Sequence, residues 1–360
     1  MRIALLNLPI DNNYGGNLQR YALMKVLQDM GHDVTHLSLC FNRNNLPYYR
    51  YPIILLKHFA KKLLNKETTP LKIQLYSKTL YEKKLSVIIP FYEKNIKHTT
   101  YIYEIDKLKQ YRDFDAFIVG SDQVWRKNIA HRYLYTMFFD YLEESTDYKL
   151  IAYSVSLGSE NNELDNFDIH YLSSLYKRFH SVSVREDSAL KLFDDYNWTN
   201  PKAEHTLDPT LLLEKEDYIS IVDTAKTETS NGTMFCYILD MDENKQKFID
   251  EFSEEKKMRP FYISINNKSK NATIEQWLRS FMDAEFVVTD SYHGFLFSII
   301  FNKPFYLFKN KTRGNSRFDS VCKMLQVDLK NERQDWNIIN RQKDYWKSKS
   351  IAFLYSSLKS

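Results

Sequence analysis

Within its first forty residues the chain passes from a short apolar run, RIALLNL (2–8), through a polar break, DNNYGGN (11–17), into LQRYALMKVLQDMG (18–31) and out into a second apolar run, DVTHLSL (33–39). In the middle segment Leu18, Tyr21, Ala22, Leu23, Val26 and Leu27 recur at helical spacing, and Gly31 marks a stop. The flanking runs have the length and Leu, Ile and Val content of buried strands. Strand, helix and strand in so few residues predict the opening of a parallel α/β sheet.

The pattern lapses and then returns. Residues 41–112 are rich in Tyr and Lys, with helical stretches over 51–66 and 75–95, and are predicted to be a helical insertion. Strands are expected within FDAFIVGSDQVW (114–125), KLIAYSVSLGS (149–159), HSVSVRE (180–186) and EHTLDPTLLL (204–213), with a helix over 164–178. Polar residues dominate 214–232, which reads as a linker. A second series of strands, each followed by a helix, comprises MFCYILD (234–240), RPFYISI (259–265), AEFVVTD (284–290) and KPFYLF (303–308). At 360 residues the chain exceeds one comfortable core. The expected organisation is an N-terminal α/β domain (1–213), the linker, a C-terminal α/β domain (233–330) and a helical tail (331–360) crossing back to the first. Between two open α/β domains, ligands bind in the cleft at the C-terminal ends of strands.

Composition removes several classes. A net charge of +4 is too mild for a nucleic-acid partner, though it suits an acidic small substrate or a phosphate-bearing acceptor. Three scattered cysteines, Cys40, Cys236 and Cys322, indicate neither a disulfide framework nor a zinc site. The N-terminus lacks the features of a signal peptide and no window has the length of a membrane span, so a cytoplasmic location is expected. The Lys-laden 57–66 reads as a solvated face or as a contact with the inner surface of a membrane. The 26 Tyr and 23 Phe fit carbohydrate-stacking surfaces and ordinary packing alike.

Polar residues follow the apolar runs: Asn13–Asn17, Gly120–Gln123, Ser156–Ser159, Arg185–Asp187, Asp208 and Asp290–Gly294. His293, before Gly294 at a helix start, has the position of a general acid or phosphate contact, and equally that of a core histidine. Arg185 could clamp a carboxylate or phosphate, or pair with Glu186 or Asp187. TRGNSRF (312–318) sets Arg313 and Arg317 around Gly314, Asn315 and Ser316, the composition of an anion cradle or of a surface loop. The glycines of NYGGNLQ do not form a dinucleotide fingerprint, and no Walker, zincin or nucleophile-elbow pattern occurs.

Taken in order, NYGGNLQRYAL (13–23), FDAFIVGSDQVW (114–125), AYSVSLGS (152–159), SVREDSAL (183–190), LDPTLLL (207–213), VVTDSYHGFLFSIIFNKPF (287–305) and RGNSRF (313–318) resemble the polysaccharide pyruvyl transferase family. The resemblance implies two Rossmann-like domains in a glycosyltransferase-B-like arrangement. It also implies transfer of pyruvyl from phosphoenolpyruvate to two hydroxyls of a sugar, forming a cyclic ketal in capsular or exopolysaccharide biosynthesis. No separate cofactor is implied. The partners would be phosphoenolpyruvate and a sugar or lipid-linked oligosaccharide, with peripheral association at the inner membrane surface.

On this resemblance His293 is the acid/base, Arg185 the phosphoenolpyruvate clamp and Asp122 the group that orients or deprotonates a hydroxyl. Ser291, Gly294, Arg313, Ser316 and Arg317 join them on the donor side. Asn13, Tyr14, Gly15, Gly16, Asn17, Gln19, Ser121, Asp122 and Gln123 face the acceptor, while Trp125 is assigned to packing. One departure stands out: better-characterised members carry Arg-Leu-His where this chain has Ser291, Tyr292 and His293, and Arg313 or Arg317 could supply the missing cation. A nucleotide-sugar glycosyltransferase and a non-catalytic polysaccharide-assembly protein are the competing readings.

Overall fold

The computed structural model describes residues 1–41, 85–145, 147–158, 160–263, 272–309, 315–330 and 333–359. The first half begins with β1 (Arg2–Leu6), α1 (Tyr14–Asp29) and β2 (Asp33–His36), then α2 (Ile89–Asn95), β3 (Ala116–Val119) and the single turn α3 (Lys127–Ala130). It continues through β4 (Lys149–Val155), α4 (Asn166–Tyr176), β5 (Ser181–Val184), α5 (Asp187–Asp195) and β6 (Glu204–His205). The second half contains α6 (Lys215–Thr224), β7 (Met234–Tyr237), α7 (Glu243–Lys256), β8 (Pro260–Tyr262), α8 (Ile274–Asp283), β9 (Phe286–Thr289), α9 (Tyr292–Ile300), β10 (Phe305–Leu307) and α10 (Ser316–Leu325). The chain closes with α11 (Trp336–Leu358).

Two parallel sheets result, one of six strands in the order β2-β1-β3-β4-β5-β6 and one of four in the order β10-β9-β7-β8. Strand alternation divides the side chains between layers. Ile3, Leu5, Ala116, Ile118, Ile151 and Tyr153 point to one face of the first sheet, whereas Ala4, Leu6, Phe117, Val119, Leu150 and Ala152 point to the other. The former join Phe235, Tyr237, Val287, Phe295 and Phe297 of the second half in a single apolar cluster. One core therefore runs beneath the cleft and holds the two halves against each other.

Two expectations are revised. EHTLDPTLLL contributes only two strand residues, because Pro209 cannot donate to a ladder and Asp208 accepts from the Thr210 amide (3.0 Å), starting a 3₁₀ turn over Pro209–Leu212. The polar 214–232 contains a packed helix rather than a free linker: Tyr218, Ile221 and Val222 of α6 are buried at helical spacing, and Tyr218 donates to the Thr210 carbonyl (2.8 Å). Most of the 41–112 insertion, with the Lys-rich 57–66, lies outside the described residues. The tail helix α11 returns to the first half, where Ser350 Oγ accepts from the Leu207 amide (2.9 Å) and Phe353 packs near Tyr153. No described helix is long and apolar enough to cross a membrane.

Candidate active site

Parallel sheets collect their strand ends on one edge, and here the loops after β1, β3, β5, β6 and β9 converge there. The loops after β1, β3 and β9 border a cleft of about 450 Å³, with Asn13, Asp122, Gln123 and Arg126 on one wall and Ser291, Tyr292, His293 and Arg317 on the other.

His293 is held by the way α9 starts. Ser291 caps the helix, its Oγ accepting from the Gly294 amide (3.3 Å), while the Ser291 amide donates to Thr289 Oγ1 (3.0 Å). The imidazole is thereby fixed against α1 of the first half, so tightly that a Cβ on Gly15 would lie 2.0 Å from His293 Cγ. His293 Nε2 is buried without a hydrogen-bond partner and stands 3.8 Å from Asp208 Oδ2. Burial pushes the His293 pKa down to about 4, against the opposing pull of Asp208 and Asp122, so the ring is neutral near pH 7.

Asp208 is the hub of the buried network. Its Oδ2 accepts from Gln19 Nε2 (2.5 Å) and Arg185 Nη1 (2.9 Å), and its Oδ1 from Thr210 Oγ1 (2.7 Å) as well as the Thr210 amide. Arg185 also donates to Asp122 Oδ1 (3.2 Å), and its guanidinium lies 4.7 Å from the centre of the Tyr292 ring. Burial opposes that charge, but Tyr292, Asp122, Asp208 and Glu186 outweigh it and raise the Arg185 pKa. Asp122 adopts φ +77°, a conformation uncommon for a residue with a side chain. Burial works against its ionisation too, yet Arg185, then His293 and Arg317, hold its carboxyl below the ordinary range.

Arg317, in the first turn of α10, places its guanidinium 5.0 Å from the same Tyr292 ring. Burial and then Arg185 push its pKa down to about 10, which leaves it charged at neutral pH. The cleft thus presents a cation, a neutral imidazole and a carboxylate together, a set able to bind an anion and move protons beside it.

The structure corrects several acceptor-side expectations. Tyr14 is buried, donating to the Ala272 carbonyl (2.7 Å) and stacking on Trp277 at 5.7 Å. Asn17 is engaged with the carbonyls of Asp11 and Asn13 and with Arg20. Gln19 and Ser121 are buried too: Gln19 serves Asp208, and Ser121 Oγ donates to the Ser154 carbonyl (2.7 Å). These four side chains support the cleft floor instead of meeting an acceptor. Asn13 caps α1 through the Gly16 amide (3.2 Å) while lining the cleft, as does Gln123.

On the donor side, Gly294 answers a packing need, since a Cβ there would lie 2.2 Å from Thr289 Oγ1. Ser291 acts as a cap, and Ser316 is buried at the start of α10. Arg313 lies outside the described residues. Trp125 is a packing residue, stacked on Phe138 at 4.2 Å. Tyr292 and Arg126 are among the cleft residues that had no assignment from sequence. Tyr292 is legible only once Arg185 and Arg317 are known to flank it. Arg126 follows the strand-end block directly, and its Nη1 donates to Gln123 Oε1 (2.8 Å). Among the described residues no group of three His, Cys, Asp or Glu is arranged to hold a metal ion.

Comparison with known families finds a match between residues 13–312 and the family described as polysaccharide pyruvyl transferase. No curated protein matches the sequence. Similar solved structures include the UDP-GlcNAc 2-epimerase from Methanocaldococcus jannaschii, at 11% identity and TM-score 0.48 over 99% of this chain and 100% of that one. The Neisseria meningitidis UDP-GlcNAc 2-epimerase bound to UDP-GlcNAc has 8% identity and TM-score 0.49 over 99% of each chain. The wall teichoic acid polymerase TagF has 10% identity and TM-score 0.43 over 99% of this chain and 87% of that one.

Proposed function

The chain belongs to the polysaccharide pyruvyl transferase family and is a transferase, and from that premise we propose that it moves the pyruvyl unit of phosphoenolpyruvate onto two hydroxyls of one sugar residue, forming a cyclic ketal. The observation that carries this reading is the meeting of His293, Asp122 and Arg317 on one cleft of about 450 Å³.

The donor brings a carboxylate and a phosphate, for which Arg317 is the cleft-facing cation on the wall that carries His293. Arg185 stands behind Tyr292, bonded to Asp208 and Asp122, and acts on the donor through its charge and through those carboxylates. His293 is neutral near pH 7 as the protein alone presents it. Anionic groups arriving beside the imidazole raise its proton affinity, so donor binding recruits the proton that the reaction needs.

Protonation of C3 makes C2 an oxocarbenium-like electrophile, with the Asp122 carboxylate nearby to stabilise the developing positive charge. A sugar hydroxyl attacks C2 and Asp122 accepts or relays its proton. The C2–O bond to phosphate breaks, and a second hydroxyl closes the ring. Of the two hydroxyl protons displaced, the balance is one hydrogen gained by C3 and one leaving with inorganic phosphate. Positioned acid–base help of this kind contributes about 10²–10⁴-fold. The acceptor would be a polysaccharide or lipid-linked oligosaccharide residue in capsule or exopolysaccharide assembly.

Incubation with phosphoenolpyruvate and a panel of galactosyl, mannosyl and glucosamine-type acceptors tests the reading. One phosphate should appear per ketal formed with the right acceptor. Absence of phosphate release across the panel, with consumption of a nucleotide-sugar instead, would favour a glycosyltransferase.

A further inference from the structure

We propose that Asp208 is the positioning partner of His293: it pairs with the proton carried on Nε2 and so leaves Nδ1 as the nitrogen that exchanges protons with a ligand in the cleft. This rests on His293 being the acid–base group of the reaction proposed above.

The His293 ring lines the cleft, but its Nε2 is buried and has no hydrogen-bond partner. An imidazole has two nitrogens, so the one able to meet a cleft ligand is Nδ1. A neutral ring with Nδ1 unprotonated must carry its hydrogen on Nε2, where a buried N–H needs an acceptor. Asp208 Oδ2 stands 3.8 Å away, beyond a hydrogen bond, so the pairing is a short-range electrostatic one.

Asp208 is built to stay where it is. Gln19 and Arg185 hold one oxygen, and Thr210 holds the other through both its amide and its hydroxyl. A carboxylate fixed from three directions is an orienting group rather than a mobile one. Gly15 supplies the second constraint, since any Cβ at that position would occupy the space of the imidazole Cβ, Cγ and Nδ1. The ring keeps its place because the backbone of α1 is bare there.

Four charged groups face the imidazole from the elements around it: Asp208 after β6, Asp122 after β3, Arg185 at the end of β5 and Arg317 on α10. Two carboxylates oppose two guanidiniums, so the general field is nearly balanced. The contact that distinguishes one ring nitrogen from the other is therefore local. Both Asp208 and Gly15 belong to the first half of the molecule, and His293 to the second. The acid–base group is complete only while the halves meet in this arrangement.

The test is ¹⁵N-histidine NMR on the full chain, with the His293 signals identified by their loss in His293→Gln. The wild type should show the Nε2–H tautomer, and Asp208→Asn should weaken that preference and lower the pH at which His293 protonates. In turnover, D208N should cut kcat by about 10²-fold while the phosphoenolpyruvate KM stays within about threefold. Should D208N fail to fold, Gly15→Ala displaces the ring with the charges intact, and the same loss of tautomer preference and kcat is expected.

A folded D208N with unchanged tautomer and titration, or a G15A that keeps both tautomer and kcat, would overturn the proposal. Loss of activity in H293Q with an Nδ1–H tautomer in the wild type would sink the pairing alone. Retained activity in H293Q would sink the functional reading instead.

Discussion

Arg185 and Arg317 come from opposite halves of the molecule and place their guanidinium carbons 4.7 and 5.0 Å from the centre of one ring, that of Tyr292. Cation–π attraction lets one aromatic side chain hold two like charges near each other. The two arginines differ in what else they do. Arg185 is locked behind the ring by Asp208 and Asp122, whereas Arg317 is part of the cleft wall. A cation therefore reaches the cleft from α10, beside the Ser291 cap of α9.

If Arg317 holds the donor, Arg317→Met should raise the phosphoenolpyruvate KM by about tenfold or more, the worth of one charge-assisted hydrogen bond. Arg317→Lys should restore only part of the loss, because a point charge lacks the planar fork. Steady-state kinetics with the donor varied provides the check, and an unchanged KM in both variants would remove Arg317 from the donor site.

Arg185→Met should first be a stability defect. Removing this guanidinium leaves Asp208 and Asp122 without their common counter-charge, and breaking a buried pair costs about 3–5 kcal/mol. Denaturant unfolding measures it. A variant melting like the wild type, with only donor binding impaired, would instead identify Arg185 as a simple clamp.

His293 carries a pH signature. Its folded pKa is pushed down to about 4 from the ordinary 6.5, chiefly by burial. Between those values the unfolded chain binds the extra proton, so stability is fully present above pH 6.5 and falls as the pH drops toward 4. The shift corresponds to roughly 3 kcal/mol. His36 is buried with its pKa lowered as well, so the informative quantity is the difference between wild type and H293Q. The variant should show a flatter pH dependence of unfolding free energy across this window. Identical slopes would mean that the ring is not buried in its neutral form.

Gly294→Ala tests the packing assignment separately from chemistry. A methyl there would sit 2.2 Å from Thr289 Oγ1, and Thr289 itself donates to the Tyr237 carbonyl (2.7 Å). Overpacking of this kind costs about 1–3 kcal/mol. Thermal denaturation should register a lower Tm, whereas a glycine needed for ligand approach would leave Tm unchanged and alter KM.

The strands were legible because their apolar runs are short and buried on both faces, as with Ile3–Leu6 and Ala116–Val119. The helix in 214–232 was hidden because its three buried residues, Tyr218, Ile221 and Val222, lie in a stretch otherwise dominated by polar side chains. Within the site, His293, Asp122 and Arg317 could be picked out by their positions after strands or at a helix start. Tyr14 could not be placed, because the Trp277 and Ala272 that bury it belong to the other half of the chain. The same holds for Gly15, whose requirement for a bare backbone comes entirely from His293. Asn17, Gln19 and Ser121 were misplaced for a different reason, because partners within the first half, Arg20, Asp208 and the Ser154 carbonyl, occupy their polar groups.

The central claim is that this cleft protonates C3 of phosphoenolpyruvate while joining C2 to a sugar. Running the reaction in D₂O with an acceptor and reading the product by ¹H and ¹³C NMR tests it most directly. The account predicts a ketal whose methyl group carries one deuterium, formed together with one inorganic phosphate and lost in H293Q. A product in which the donor's CH₂= group survives, or sugar transfer from a nucleotide-sugar with no phosphate released from phosphoenolpyruvate, would contradict it.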